Sequence, residues 1–396
     1  MQQIQLEKTL DVEVVERQLA ELWQQTTGDG SADADAAVLR ARVANLLVFV
    51  ANDALLDDVD QMMRELTAIH PSRVLLMLGD RQGADADIEM YVASFFQTDK
   101  RTGEKRLCCE QVTLKAHGKF IAELPSAALP LLVSDLSTFL WWRDALRSTD
   151  KVFSTLTEAA HRLVIDSAEF ADPLRELLEI DKVFAQEGAE ECGISDLNWA
   201  RLTWWRSLLA DFYDVPAYQP LLEQIDQVQI DYVAPELAPT QVAPQALLIA
   251  GWLASRLGWT LLNEHPSQET DGTLAFKFAG KRTNSGAAVI NLELNRVERG
   301  ERKPGRLAQV TLRSAAEQQP TFTVGRSADN LHLITEAKLG PTTQRGRVLP
   351  VRNRTAAQLF SREMEILCND DVYQEVVALA ARLIDRSTVS SVDQEN

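Results

Sequence analysis

The sequence predicts an α/β protein of two domains: a helix-covered, mainly parallel sheet domain over residues 1–190, followed by an α+β domain with an antiparallel sheet over residues 191–396. Three observations lead there. From Arg73 to the helix opened by Pro173, short apolar runs alternate with helical stretches, as in a sheet covered by helices. Later, Leu274, Phe276 and Phe278, and then Ala288, Ile290, Leu292 and Leu294, alternate with period two, the mark of half-buried paired strands. Between these regions the polar stretch Gln186 to Glu191 is the least costly place for a boundary between separate cores.

Taken in order, Val12, Val15, Leu19, Leu22 and Trp23 recur at three-and-four spacing and give one apolar face of an opening helix. GDGSADAD from Gly28 has the small polar composition of a loop. A second helix is expected to place Leu39, Val43, Leu46, Leu47 and Val50 inward, and a third to follow Asn52-Asp53 and end near Ala68. His70-Pro71 stops helix formation, so RVLLML from Arg73 to Leu78 reads as an interior strand. Ile88, Met90 and Val92, then Leu107 to Lys115, give two more strands, and Leu131 to Val133 with Phe139 to Trp142 continue buried strand character. Thr149 or Asp150 caps a helix over Val152 to Ala160, Leu163 to Ile165 is a short strand ending at Asp166, and Pro173 opens a helix.

The second half opens with a helix from Leu197 to Phe212. An extended run Gln227 to Val233, a Pro-rich connector and a helix from Ala246 to Leu257 follow. Beyond the two alternating strands, a charged segment Glu298 to Arg306 leads to strands at Ala308 to Leu312 and Thr321 to Val324. A loop with Gly340-Pro341 precedes two closing helices, from Thr355 and from Val372 to Ile384.

At 396 residues with 45% hydrophobic content, the chain can bury two cores without staples. Its net charge of −18 repels phosphate backbones and anionic lipid, which argues against nucleic acid and membrane as partners. The first residues lack a basic start and apolar core, and no apolar run reaches membrane-spanning length, so a cytoplasmic protein is expected. The four cysteines, Cys108, Cys109, Cys192 and Cys368, are too scattered for a disulfide framework. Adjacent Cys108 and Cys109 on a strand point to opposite faces, which disfavours a bond between them.

The five histidines form no HExxH or HxH pattern, and no GxSxG, GxxxxGK[ST] or GxGxxG segment occurs. No catalytic, cofactor or metal residue is therefore assigned. Asp135 and Asp166 sit beside strand-like runs as helix caps or as an acid/base pair. Arg73 either recognises an anion or pairs with an acidic neighbour. Arg345, Arg347, Arg352 and Arg354 concentrate positive charge on an acidic chain and offer an anion or acidic-protein contact, with a solvated loop as the other reading; RGERKPGR from Arg299 has the same two readings. Among eight tryptophans the doublets Trp141-Trp142 and Trp204-Trp205 supply large contact area for a seam or a partner. On a helix with Leu202, Leu208 and Leu209 inward, Trp204, Trp205 and Arg206 cannot all face the core, although both rings could belong to it.

HPSRV at His70, LPLLVSDLSTFLWW from Leu129, RLVIDSAEF from Arg162, DLNWARLTWWRSLLADF from Asp196, AGWLASRLGW from Ala250 and DDVYQEVVALA from Asp370 occur in this order. Together they resemble the OpcA family, the glucose-6-phosphate dehydrogenase assembly proteins, over nearly the whole chain. The resemblance implies a non-catalytic effector of that dehydrogenase in the oxidative pentose phosphate pathway of cyanobacteria and actinobacteria. NADP would be bound by the dehydrogenase and no cofactor by this chain. It also implies control through thioredoxin, with Cys108, Cys109, Cys192 and Cys368 as the redox candidates. Residues offered for partner binding are Trp141, Trp142, Trp204, Trp205, Arg206, Arg345, Arg347 and Arg352. The competing expectation is a sugar-phosphate or nucleotide-binding enzyme in which Asp135, Asp166 and Arg73 converge.

Overall fold

A computed structural model describes residues 3–6, 12–27, 43–98, 105–186, 192–262, 267–268, 273–282, 286–351, 354–366 and 369–384. In chain order the elements are β1 (Gln3–Leu6), α1 (Val12–Thr27), β2 (Ala44–Val50), α2 (Leu56–Thr67), β3 (Ser72–Asp80), β4 (Ala86–Thr98), β5 (Lys105–His117), α3 (Leu124–Ala128), β6 (Ser137–Arg143), α4 (Lys151–Glu158), β7 (Arg162–Ile165), α5 (Pro173–Phe184) and β8 (Gly193–Asp196). They continue as α6 (Leu197–Arg201), α7 (Thr203–Asp211), α8 (Gln219–Leu222), β9 (Ile225–Val233), α9 (Pro244–Arg256), β10 (Thr260–Leu261), β11 (Ser267–Gln268), β12 (Leu274–Arg282), β13 (Gly286–Val297), β14 (Leu307–Ser314), β15 (Thr321–Arg326), β16 (His332–Leu339), β17 (Thr342–Pro350), α10 (Ala356–Glu363) and α11 (Asp371–Leu383).

Two compact units result, each drawn from three stretches of chain. The first comprises Met1–Ile165, Glu187–Ser195 and Arg354–Asn369; the second comprises Asp166–Gln186, Asp196–Asn353 and Asp370–Asn396. A cut at residue 190 is a division of the sequence, whereas these units interleave along it.

The first unit is built on a sheet in the order β1-β4-β5-β3-β2-β6-β7-β8. Its middle strands β5, β3, β2, β6 and β7 run parallel, and β4 and β1 add antiparallel strands at one end. All seven residues of β2 and the first eight of β3 are buried, so both faces of the sheet are covered there. This corrects the expected second helix: Ala44 to Val50 is a strand, and Leu39 lies outside the described residues. A strand buried on both faces reads as a continuous apolar run, which also satisfies a three-and-four spacing. Leu131 to Val133 is likewise not a strand. Buried Asn45 of β2 holds that segment instead, donating to the Val133 carbonyl and accepting from its N–H, both at 3.0 Å. The opening helix and α4 form where expected: Val15, Leu19 and Leu22 of α1 are buried, whereas Val12 is exposed and the Trp23 side chain lies outside the described residues, and Asp150 caps α4 by accepting from the Val152 N–H at 2.8 Å.

The second unit carries a sheet in the order β10-β12-β13-β9-β14-β15-β16-β17, with β11 beside β12. It is antiparallel except for β9 and β13, which run parallel. Val228, Ile230, Tyr232, Val310, Leu312, Phe322 and Val324 alternate inward, while Gln229, Asp231, Gln309, Thr311 and Thr323 occupy the other face. α9 packs on β9, and α11 and α5 pack against α9. α9 is buried nearly all round, from Pro244 to Ala254. The hairpin β16–β17 escaped the sequence reading, which placed a loop there. A two-residue turn joins the strands, with Gly340 at φ 57°, a left-handed position that glycine adopts freely. β17 is exposed along nearly its whole length and so lacks apolar alternation. The helix expected from Leu197 to Phe212 is interrupted at Leu202, giving α6 and α7.

Candidate functional site

β7 and β8 are four-residue buried strands, each closed by an aspartate. Asp196 caps α6. Its Oδ1 accepts from the N–H of Asn198 at 2.8 Å and of Ser167 at 3.0 Å, and its Oδ2 accepts from the Ser167 hydroxyl at 2.6 Å and the Tyr373 hydroxyl at 3.2 Å. Asp166 receives both arms of the Arg201 guanidinium, at 2.6 and 2.7 Å. Asn198 extends the network: its amide donates to the Ser167 hydroxyl at 3.1 Å, and its carbonyl accepts from Gln245 at 2.7 Å and Arg306 at 3.2 Å. Gln245 in turn accepts from the Leu307 N–H, which opens β14. Trp199 donates its indole N–H to Asp370 at 2.9 Å, and Asp370 caps α11. All these residues belong to the second unit.

The electrostatics follow from burial. Burial first, and the Asp166 charge second, push the Asp196 carboxyl up to about 6, against the bonds from Ser167 and Asn198 that favour its charged form. Burial and then Asp196 hold the Tyr373 phenol well above its ordinary value. Arg201 is subject to an opposing burial cost, but Asp166 outweighs it and raises its affinity for the proton. With every Asp196 oxygen bonded and Asp166 clamped by Arg201, the network fixes the start of α6 within the second unit. Among the described residues no group of three or more His, Cys, Asp or Glu is placed to hold a metal.

The residues proposed from sequence fall in different settings. In the first unit Trp141 and Trp142 are both buried, since both faces of β6 are covered. Trp142 stacks on Phe49 with ring centres 4.3 Å apart, and Trp141 meets Phe360 edge-on at 6.2 Å. Arg73 is buried and committed to Glu110, at 2.6 Å, to the Leu131 carbonyl and to Glu16. Asp135 stands in an exposed turn at φ 65°. Asp135, Asp166 and Arg73, expected in the competing reading to build one substrate site, thus have separate local settings: a turn, the Arg201 clamp and a buried ion pair.

In the second unit Trp205 is buried, but Trp204 is 48% exposed, so the doublet divides between core and surface. Arg206 lies over the Trp199 ring at 3.4 Å. Arg345 and Arg347 are exposed on β17, and Arg347 pairs with Asp211 of α7. Cys109 and Cys192 are buried thiols. Burial pushes the Cys192 thiol up to about 11. The side chain of Cys108, and Cys368 and Arg352 entirely, lie outside the described residues. Sequence reasoning singled out Asp166, and Arg306 only as part of the RGERKPGR stretch, but missed Asp196, Asn198 and Gln245; an aspartate after the short run GIS, two residues before Asn198, was the available signal for a cap.

Two family models match the chain in succession. The glucose-6-phosphate dehydrogenase subunit N-terminal domain covers residues 63–182, and the C-terminal domain of the same subunit covers residues 192–377. Among curated proteins, the putative OxPP cycle protein OpcA of Nostoc punctiforme is 31% identical over 197 residues, 49% of this chain and 40% of that protein. That of Synechococcus elongatus is 27% identical over 317 residues, 79% of this chain and 67% of that protein. The chain therefore spans about two fifths of the first relative's length and two thirds of the second's. Among solved structures, an NAD-binding oxidoreductase from Klebsiella pneumoniae aligns at TM-score 0.48 and 12% identity, covering 88% of this chain and 97% of that one. The 3-ketoreductase KijD10 from Actinomadura kijaniata aligns at TM-score 0.47 and 9% identity, over 86% and 95%. With its two domain models lying end to end and its curated relatives bearing one name, the chain belongs to the OpcA family.

Proposed function

We propose that this chain binds glucose-6-phosphate dehydrogenase in the cytoplasm and favours its substrate-competent conformation, promoting entry into the oxidative pentose phosphate cycle without itself turning over substrate. The family membership across residues 63–182 and 192–377 carries this reading. Binding free energy drives such a shift only where the partner's two states are bound unequally.

A docking surface on the second unit fits the proposal. Trp204 and Asp211 are seven residues apart on α7, hence on one face about 10 Å apart along the axis. Asp211 pairs with Arg347, which places an exposed indole near the exposed arginines Arg345 and Arg347 of β17. Aromatic and arginine side chains of this kind anchor protein interfaces. Thioredoxin as a second partner would reach Cys109 or Cys192 only on local opening, since both are buried.

The test is a titration of the purified chain into its cognate dehydrogenase, with complex mass and substrate kinetics followed together. A saturable fall in KM accompanied by a complex of defined mass is expected. Unchanged kinetics and oligomer distribution at saturation would sink the reading. Trp204→Ala is expected to keep its melting temperature and to raise the titration midpoint about tenfold or more.

A further inference from the structure

The loop Glu298 to Arg306, between β13 and β14, brings its arginines to one end of the second sheet. It is pinned there by backbone bonds: the Gly305 N–H donates to the Val233 and Ala234 carbonyls at 3.1 Å, and the Val233 N–H donates to the Arg306 carbonyl at 2.9 Å. Arg326, the last residue of β15, donates from Nε to the Leu307 carbonyl at 3.1 Å, and its guanidinium lies 5.9 Å from the Trp205 ring centre. Arg306 sits immediately before Leu307. Arg326 is thereby brought beside the start of β14, and Arg302 is close enough to act on it electrostatically.

The three guanidiniums are half-buried, and among the described residues none forms an ion pair, although Asp166 and Asp196 act on Arg306 from beyond ion-pair distance. Among the described residues Arg306 has a hydrogen bond to Asn198, Arg326 has one to a carbonyl, and neither forms an ion pair. Arg302 makes no side-chain hydrogen bond among the described residues, and its Nε is buried without an acceptor. Two neighbouring arginines have carboxylates instead: Arg299 pairs with Glu236 and Arg201 with Asp166. Burial first, then Arg201 and Arg326, lowers the Arg306 pKa to about 10 against the opposing pull of Asp166 and Asp196, and burial and Arg302 lower that of Arg326. Positive charges gathered in a partly desolvated place repel one another and leave donors unused, unless an anion joins them. One carboxylate matches one guanidinium fork, whereas several forks around a point match the oxygens of a tetrahedral dianion.

We propose that Arg302, Arg306 and Arg326 form a binding site for a phosphate dianion, either free or at the head of a small phosphomonoester. The site goes beyond the dehydrogenase-binding reading and does not depend on it. It gives the RGERKPGR segment a specific role on a chain whose net charge is −18.

The experiment uses the full chain in phosphate-free buffer, titrated with sodium phosphate or glycerol 1-phosphate and with chloride at matched ionic strength. Melting temperature and calorimetric heat are recorded. Saturable stabilisation by either phosphate ligand, absent in chloride, is expected, and whichever ligand binds more tightly identifies the source of the phosphoryl group. Arg302→Gln should weaken binding about tenfold. In phosphate-free buffer this variant should melt at or above the unmodified chain, because it removes a repulsive charge and no hydrogen bond. A response to phosphate no greater than to chloride, or undiminished phosphate binding by Arg302→Gln, Arg306→Gln and Arg326→Gln, would overturn the proposal.

Discussion

Asp196 carries a free-energy cost that pH reveals. An unfolded aspartate ionises near about 3.9, whereas in the fold burial and Asp166 push this carboxyl up to about 6. Between these values the folded chain holds a proton that the unfolded chain releases. The contribution of this group to stability is therefore full below about 4 and lost as pH rises through about 6, on the order of 2–3 kcal/mol at most. Asp80, Asp85, Asp329 and Glu375, whose pKa values are lowered by hydrogen bonds, act in the opposite sense and mask the effect in the unmodified chain. Asp196→Asn isolates it: the stability difference from the unmodified chain should move in the variant's favour between pH 4.5 and pH 7.5, measured by urea melts across that range. A pH-independent difference would show that the fold does not raise the Asp196 pKa. Cys109 and Cys192 afford a second check, since burial keeps Cys192 a thiol at neutral pH. Both should resist iodoacetamide in the folded chain and react on unfolding, as read by peptide mapping; rapid native alkylation of either would contradict their burial. Asp166 was legible because it follows an apolar run directly. Arg306 was not: it meets Asn198 from 108 residues away, a distance that no local pattern bridges.

At the scale of elements, α9 and α11 approach so closely that Gly251 has no room for a side chain. A Cβ built there would lie 2.7 Å from the Val376 carbonyl oxygen, a backbone atom that cannot swing aside. Replacing a mid-helix glycine by alanine favours the helix by about 1 kcal/mol, but forcing the two helices apart costs about 1–3 kcal/mol or more. Gly251→Ala should therefore lower the melting temperature despite the gain in helix propensity, and a rise would mean that α11 yields without loss. Such packing is invisible in AGWLASRLGW, where the glycine reads only as a weak point in a helix. Legibility along the chain followed exposure. α2, α4 and α5 and the strands β12 and β13 each have one solvated side and show their period in sequence. β2 is buried on both faces and mimicked a helix, whereas β17 is exposed and showed no period at all. The Asn45 bonds to Val133 explain a third error, because a side chain there takes the place of the strand pairing expected for Leu131 to Val133.

For the whole molecule, interleaving decides what can be cut. A fragment ending at residue 190 lacks β8 and α10, which both belong to the first unit. It would lose Phe360, which is 1% exposed and packs on Phe139 and Trp141 with ring centres 6.5 and 6.2 Å away. This fragment should bind a hydrophobic dye and melt without a cooperative transition in calorimetry; a sharp, reversible transition would instead establish residues 1–190 as a self-sufficient domain. The same arrangement imposes an order on synthesis. When Ile165 leaves the ribosome the first unit is still without its last segment, which ends about 200 residues later at Asn369, a wait of roughly 10–40 s at about 5–20 residues per second. During that interval the nascent sheet has an unpaired edge at β7 and an uncovered Trp141, and it is then that a ribosome-associated chaperone has most to protect.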